Sequence, residues 1–166
     1  MDKINCHPDQ ESTHLTVKMI LDLYPEFLDY FKFSIVRNPL DRFVSEYFFS
    51  KRYRPYLLGT EEIEFVNYVD LVSQILPLDG DHTIFNHLYP QAKFLYSSNK
   101  LLVDYIGKFE KFEESIWDIC SILNIDRGTL PHNNSSSHQP FMKYYNSKTE
   151  RIIRDLYSED FALFGY

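Results

Sequence analysis

The segment over residues 33–47 constrains the fold of this chain more than any other. Residues 33–36 favour β-structure and are nearly all apolar, which predicts a short strand covered on both faces. Pro39 fixes its own φ and disfavours helical backbone at Asn38, so the strand must end there. Apolar residues then recur at helical spacing and predict an amphipathic helix over 40–53. A strand therefore turns sharply into a helix at this point of the chain.

Charged and polar side chains surround this turn. Arg37 leaves the strand, Ser45 lies one or two turns into the helix, and Asp41, Arg42 and Glu46 supply the charged side of that helix. Since helix N-termini attract anions, an arginine and a hydroxyl placed this way can converge on one phosphate. The alternative is that Arg37 simply pairs with Asp41 and that Ser45 is an ordinary helical serine.

The complete segment resembles the 3′-phosphate-binding segment of sulfotransferases, namely the Golgi carbohydrate sulfotransferases and their bacterial relatives. In that family a strand ends in Val-Arg-Asn/Asp-Pro and is followed by an Arg and by Ser-x-Tyr; the matching positions are Val36, Arg37, Asn38, Pro39, Arg42, Ser45 and Tyr47. The resemblance implies that Arg37 and Ser45 bind the 3′-phosphate of the co-substrate 3′-phosphoadenosine 5′-phosphosulfate. It also implies that Arg42 braces the loop through a carboxylate.

Further segments resemble the same family in the same order, so the similarity covers nearly the whole chain. They are residues 14–16 and 29–33 before the phosphate segment, the Pro-Gln element at 89–91, the strand with Gly-Lys-Phe-Glu at 104–110, and the C-terminal elements at 130–135 and 157–166. Several spaced elements are more specific than one short motif. The resemblance implies a single domain over 1–166, with a P-loop-kinase-like, three-layer α/β fold around a mainly parallel sheet.

One element of the family has no counterpart in this sequence. The family wraps the 5′-phosphosulfate with a loop that contains Lys and Gly, in which backbone N–H groups and the lysine stabilise charge on the leaving oxygen. Lys3 and Lys18 lack neighbouring glycines, and no glycine precedes Gly59. Two explanations stay open. The chain is an N-terminally truncated or mis-started sulfotransferase, or it is a shortened relative that has lost transfer activity.

His14 is the predicted base of the reaction. Members of the family tend to carry a His before a Thr-containing helix at this place, and histidine titrates near neutral pH. The alternative is that His14 caps a helix or is a partly buried structural residue, and Glu11 is a weaker candidate for the base. His7 beside Cys6 has no second ligand pair at zinc spacing, so we expect no metal.

Charge and hydropathy disfavour several other classes of protein. The formal net charge of −7 disfavours nucleic acids and anionic membranes as partners. A nucleotide site therefore needs locally concentrated cations, for which Lys51 to Arg54 are candidates unless they form a solvated face. No stretch approaches the roughly 20 apolar residues that span a bilayer, and the start lacks an apolar signal-peptide segment. We expect a cytoplasmic protein if the chain is complete, and a Golgi-lumenal one if it is a fragment of an animal enzyme.

Helical and strand patterns alternate along the remaining chain, which indicates an α/β domain with a mainly parallel sheet. Helices are predicted over 15–23, 61–75, 110–123 and 144–157, with a short turn after Pro25, and strands over 94–96 and 101–106.

The sequence thus predicts a sulfotransferase-like protein that moves a sulfuryl group to a hydroxyl, with a carbohydrate as the expected acceptor. The alternative is a non-catalytic nucleotide-binding or interaction module derived from a sulfotransferase, because the Lys- and Gly-containing loop is missing. A nucleotide kinase of the same fold is disfavoured, since the sequence has no Gly-rich P-loop.

Overall fold

The computed structural model describes residues 14–53, 62–78, 83–128 and 139–166. In these ranges the α-helices are α1 (Val17–Leu23), α2 (Pro39–Tyr53), α3 (Phe65–Ile75), α4 (Gln91–Leu95), α5 (Phe112–Leu123), α6 (Ser147–Leu156) and α7 (Ser158–Phe164). The strands are β1 (Phe33–Val36), β2 (Tyr96–Ser97), β3 (Lys100–Leu101) and β4 (Tyr105–Lys108), and 3₁₀ helices cover Pro25–Asp29, Leu76–Leu78, Thr83–Leu88, Phe109–Lys111 and Phe141–Tyr144. The predictions on Cys6, His7, Glu11 and Arg54 lie outside the described residues.

The strands of the described ranges form two small sheets. β1 and β4 pair in parallel, with Phe33 opposite Tyr105 and Val36 opposite Lys108. β2 and β3 form an antiparallel hairpin, and the two residues between these strands both have positive φ, as tight hairpin turns require. The predicted mixture of α and β structure with a parallel sheet is confirmed at this level.

The strand–turn–helix segment forms as predicted, but its strand is not covered on both faces. β1 and α2 lie within one residue of the predicted bounds. Of the four strand residues only Val36 is buried, and the Phe33 side chain is 47% exposed. The expectation that β1 is covered on both faces is therefore wrong.

Two predicted strands differ from the strands in the structure. Residues 94–96 were expected to be extended, whereas α4 runs through Leu95. This helix starts on a distant partner, because the fully buried Asp160 carboxylate accepts hydrogen bonds from the backbone N–H groups of Gln91 and Ala92, both at 2.8 Å. A carboxylate there satisfies N–H groups that a helix start leaves without partners. The predicted strand over 101–106 divides into β3 and β4.

Two apolar clusters hold these elements together. The larger joins α2, α3 and α6, where Val44, Tyr68, Val69 and Ile153 are fully buried. The smaller lies beside the parallel sheet; its members are Val36, Ala92, Leu95, Val103 and Phe164.

Buried tyrosines tie the larger cluster to the backbone. The Tyr157 hydroxyl donates to the carbonyl of Leu88 at 2.6 Å, and the Tyr145 hydroxyl donates to the carbonyl of Leu40 at 2.9 Å. Burial raises the pKa of both hydroxyls, so they remain neutral donors. These bonds fix the backbone at Leu40, near the start of α2, and at Leu88.

Gly107→Ala should destabilise the protein by about 1–3 kcal/mol, because the added methyl group would overpack the structure at this position. A Cβ atom on Gly107 would lie 2.5 Å from Cδ1 of Ile35 and 2.6 Å from Cβ of Ser115. Ser115 cannot move freely, since its Oγ accepts from the backbone N–H of Lys108 at 3.0 Å. Urea denaturation followed by circular dichroism measures the change.

Gly128→Ala is the matched control, because a Cβ atom there meets nothing within 4 Å. Its free energy of unfolding should stay within about 1 kcal/mol of the wild type. Equal effects of the two substitutions would contradict the tight contact at Gly107.

Candidate functional site

The site is built on the turn between β1 and α2. Asn38 caps α2: its Oδ1 accepts from the N–H of Leu40 at 3.0 Å and its carbonyl accepts from the N–H of Arg42 at 2.8 Å. Pro39 occupies the first helical position, where its missing N–H costs nothing. Arg37 is therefore the last residue before the helix cap, and its side chain leaves the backbone at the helix N-terminus.

The backbone of Arg37 is held on both sides by one amide group. Oε1 of Gln91 accepts from the N–H of Arg37, and Nε2 of Gln91 donates to its carbonyl, both at 2.9 Å. Gln91 is itself fixed by Asp160, which accepts from its backbone N–H at 2.8 Å and from Nε2 at 3.2 Å. A side chain 54 residues away thus holds the backbone at Arg37.

A second pair of side chains holds the residues next to Arg37. Oε1 of Glu110 accepts from the N–H of Asn38 at 2.7 Å, and Oε2 accepts from the Tyr166 hydroxyl at 2.8 Å. The same hydroxyl also donates to the carbonyl of Val36 at 3.2 Å. Burial and the hydrogen bond to Glu110 raise the pKa of Tyr166, so the hydroxyl keeps its proton. The segments 89–91, 104–110 and 157–166 therefore meet at this turn.

The Arg37 side chain makes the ion pair that the sequence left open as an alternative. Its Nε donates to Oδ2 of Asp41 at 2.8 Å, and its guanidinium carbon lies 4.6 Å from the centroid of the Phe109 ring. The pair with Asp41 is thus confirmed. It engages one of the several N–H donors of a guanidinium group and orients that group, so it is compatible with anion binding by the others.

Arg42 braces the site through a different partner from the one expected. Its Nη2 donates to the backbone carbonyl of His87 at 2.8 Å, whereas the sequence predicted a carboxylate. The bond joins α2 to the 3₁₀ helix Thr83–Leu88. The predicted partner of Arg42 was wrong because the fold brings the end of this 3₁₀ helix next to α2. The last carbonyls of a helix have no partner within the helix and can accept hydrogen bonds from side chains.

A cavity of about 940 Å³ lies over the turn and along α2. It brings together the three predicted site residues: Arg37 and Ser45 of the strand–turn–helix segment, and His14, which lies about 20 residues before that segment. Its other lining residues are Arg42, Glu46, Phe48, Phe49, Lys51, Arg52, Tyr53, Asn86, His87 and Phe94. The cavity is large enough for a small organic ligand, for which pockets of roughly 300–1,000 Å³ are usual.

The cavity is locally cationic in a chain whose formal net charge is −7. Arg37, Arg42, Lys51 and Arg52 line it. The sequence left Lys51 and Arg52 open between a solvated face and a focused positive site, and the structure places both on the cavity wall. Positive charge that is focused in a cleft concentrates anions there.

Glu46 and His87 line the cavity but were not identified from the sequence as parts of a site. Glu46 was expected on the charged side of α2, but it is 8% exposed and its Oε2 lies 3.3 Å from Nδ1 of His87. A signal existed for Glu46, because residues 43, 46 and 50 share one helical face with the apolar core. His87 carries no such signal, since only the fold brings it to α2.

No group of three or more His, Cys, Asp or Glu side chains suited to a metal ion occurs within the described ranges. The expectation that the chemistry needs no metal stays a prediction. Across the same ranges, no helix has both the length and the apolar character that a bilayer span requires.

A family model described as the sulfotransferase family matches residues 5–166. Searches of curated proteins and of solved structures found no match. Because the family model spans nearly the whole chain, this protein belongs to the sulfotransferase family. The family that the Val36 to Tyr47 segment indicated is thereby confirmed.

Gln91→Ala should lower the free energy of unfolding by about 1–3 kcal/mol, because it leaves the N–H and the carbonyl of Arg37 without their partners. Gln74→Ala, on an exposed position of α3, is the control and should change stability by no more than about 0.5 kcal/mol. Chemical denaturation of both variants decides the point. A neutral Gln91→Ala would show that the turn keeps its shape without this amide.

Proposed function

We propose that this protein transfers a sulfuryl group from 3′-phosphoadenosine 5′-phosphosulfate to a hydroxyl group of a carbohydrate. Membership of the sulfotransferase family supports the reaction class, and the cationic cavity over the β1–α2 turn is the observation that carries the nucleotide assignment. The proposal includes the P-loop-kinase-like, three-layer arrangement that the family resemblance implies.

Arg37 and Ser45 bind the 3′-phosphate in this proposal. Both residues line the cavity. Arg37 lies just before the N-terminus of α2, whose helix dipole favours negative charge, and Ser45 lies in the second turn of the same helix. Arg37 is preorganised for this role, since Gln91 fixes its backbone and Asp41 orients its guanidinium group. Preorganised donors bind an anion with less loss of conformational entropy than free surface side chains do.

The transfer step needs an attacking hydroxyl, a base and positive charge at the leaving group. The acceptor oxygen forms a bond to sulfur while the bond between sulfur and the 5′-phosphate oxygen breaks, and adenosine 3′,5′-bisphosphate leaves with that electron pair. His14 takes the proton of the acceptor hydroxyl. The cations that line the cavity stabilise the several negative charges of the nucleotide.

Arg37→Ala should weaken the binding of adenosine 3′,5′-bisphosphate about 10- to 100-fold, because hydrogen bonds to a charged group contribute about 1.5–3 kcal/mol. Ser45→Ala should weaken it about tenfold on the same reasoning. Isothermal titration calorimetry of the full chain measures both. If the wild-type protein fails to bind at concentrations on the order of millimolar, the nucleotide site is wrong.

Arg151→Ala is the matched control for these titrations. The Arg151 side chain is 85% exposed and its nearest acid is Asp155, at 3.8 Å on the same helix. Loss of this cation should leave bisphosphate affinity unchanged. An equal loss in the Arg151 and Arg37 variants would mean that only overall charge is being measured.

His14→Asn should lower kcat for sulfuryl transfer about 10²- to 10⁴-fold, which is the range for removal of a general base. Bisphosphate affinity should remain at the wild-type value, because His14 acts on the acceptor. The assay follows the labelled sulfuryl group from donor to a panel of sugars.

The same assay separates the two candidate functions. Binding of the bisphosphate together with no transfer to any acceptor would favour the non-catalytic nucleotide-binding module.

A further inference from the structure

The Glu46 carboxylate is the most unusual group in the cavity, because it is nearly buried in a wall that is otherwise cationic. Oε2 lies 3.3 Å from Nδ1 of His87, and Oε1 accepts from the Ser50 hydroxyl at 2.9 Å. Ser50 is itself buried, and its Oγ is 3.4 Å from the Tyr68 hydroxyl. Glu46 is therefore fixed on one oxygen by the core, and its other oxygen is directed at a histidine.

Two aromatic rings contact the His87 ring. The Phe49 ring stacks on it with centroids 5.2 Å apart and an angle of 13° between the planes. The His14 ring meets it at 4.6 Å and 67°, an edge-on arrangement. The backbone carbonyl of His87 also accepts the bond from Arg42. An imidazole that is stacked, met edge-on and held at its backbone has little freedom to turn.

A carboxylate beside Nδ1 decides where a neutral imidazole carries its proton. A carboxylate oxygen 3.3 Å from Nδ1 attracts a proton to that nitrogen, so Glu46 favours the proton on Nδ1 and leaves a lone pair on Nε2. The same logic applies in sites where a base is oriented by a third group that does not touch the substrate.

We propose that Glu46 is a positioning residue: it fixes His87 in the Nδ1–H form, and the fixed His87 ring in turn holds the His14 imidazole in place at the cavity wall. The role of His14 as the base rests on the proposed function, whereas the state of the His87 ring does not. Burying the Glu46 carboxylate costs desolvation free energy, and the position beside His87 is the role that we assign to it.

Among the described residues that line the cavity with the histidine pair, Glu46 carries a carboxylate. The titratable side chains that line the cavity with His14 and His87 are Arg37, Arg42, Glu46, Lys51, Arg52 and Tyr53. Asp41 is engaged with Arg37 at 2.8 Å.

The test is nitrogen NMR of the full chain labelled at histidine, with signals assigned from His14→Asn and His87→Asn variants. In the wild type, Nδ1 of His87 should be protonated and Nε2 should not. In Glu46→Met, an apolar side chain of similar length, the proton should move to Nε2 and the His14 signals should shift. In Glu46→Gln, the amide oxygen can still accept from Nδ1, so the wild-type form should persist.

Two NMR results overturn the proposal. One is a wild-type His87 with its proton on Nε2, which decides the matter even if Glu46→Met does not fold. The other is a folded Glu46→Met protein in which the signals of both histidines are unchanged. Glu150→Met is the control, since it removes a carboxylate that pairs with Arg154 at 2.8 Å on α6 and that does not line the cavity.

The kinetic readout separates this proposal from the proposed function. Glu46→Met should lower kcat for transfer about 10- to 100-fold with bisphosphate affinity unchanged, and Glu46→Gln should retain most of the rate. A wild-type kcat in Glu46→Met would overturn the positioning role. Failure of the wild type to bind bisphosphate would instead count against the nucleotide site, while the NMR result on His87 would stand on its own.

Discussion

The hydrogen bonds between the Gln91 amide and the backbone of Arg37 are the constraint on which the site depends. They fix the last residue before α2, and through Asp160 they connect it to α7 at the other end of the chain. A two-stranded parallel sheet alone is a weak support for such a turn. The amide and the carboxylate behind it supply the rigidity that the small described sheet does not.

The distribution of charged side chains around the cavity is the second feature of the site. The chain carries a formal net charge of −7, yet the described cavity wall gathers arginines and a lysine from α2 and from the turn before it. Asp41 orients one of these cations, while Glu46 faces a histidine. Each acid thus has a separate partner, so the wall remains positive toward a ligand.

The local rules of the chain predicted a good part of this arrangement. Pro39 and the apolar spacing after it give β1 and α2 to within one residue, because backbone sterics and helical periodicity act over a few residues. Of the strand predicted over 94–96, residues 94 and 95 were predicted wrongly for the opposite reason. The helix at that place begins on Asp160, whose carboxylate lies 69 residues further along the chain.

The sequence by itself determined the sharp strand-to-helix turn, with Arg37 and Ser45 beside it, and membership of the sulfotransferase family. Local spacing is sufficient to predict the turn, since all its residues lie on one short segment. Only the tertiary structure decided that Glu46 is buried against His87, that His87 meets His14, and that Arg42 bonds to a carbonyl. These contacts join residues about 40 or more positions apart, and no local pattern encodes which distant backbone will reach them.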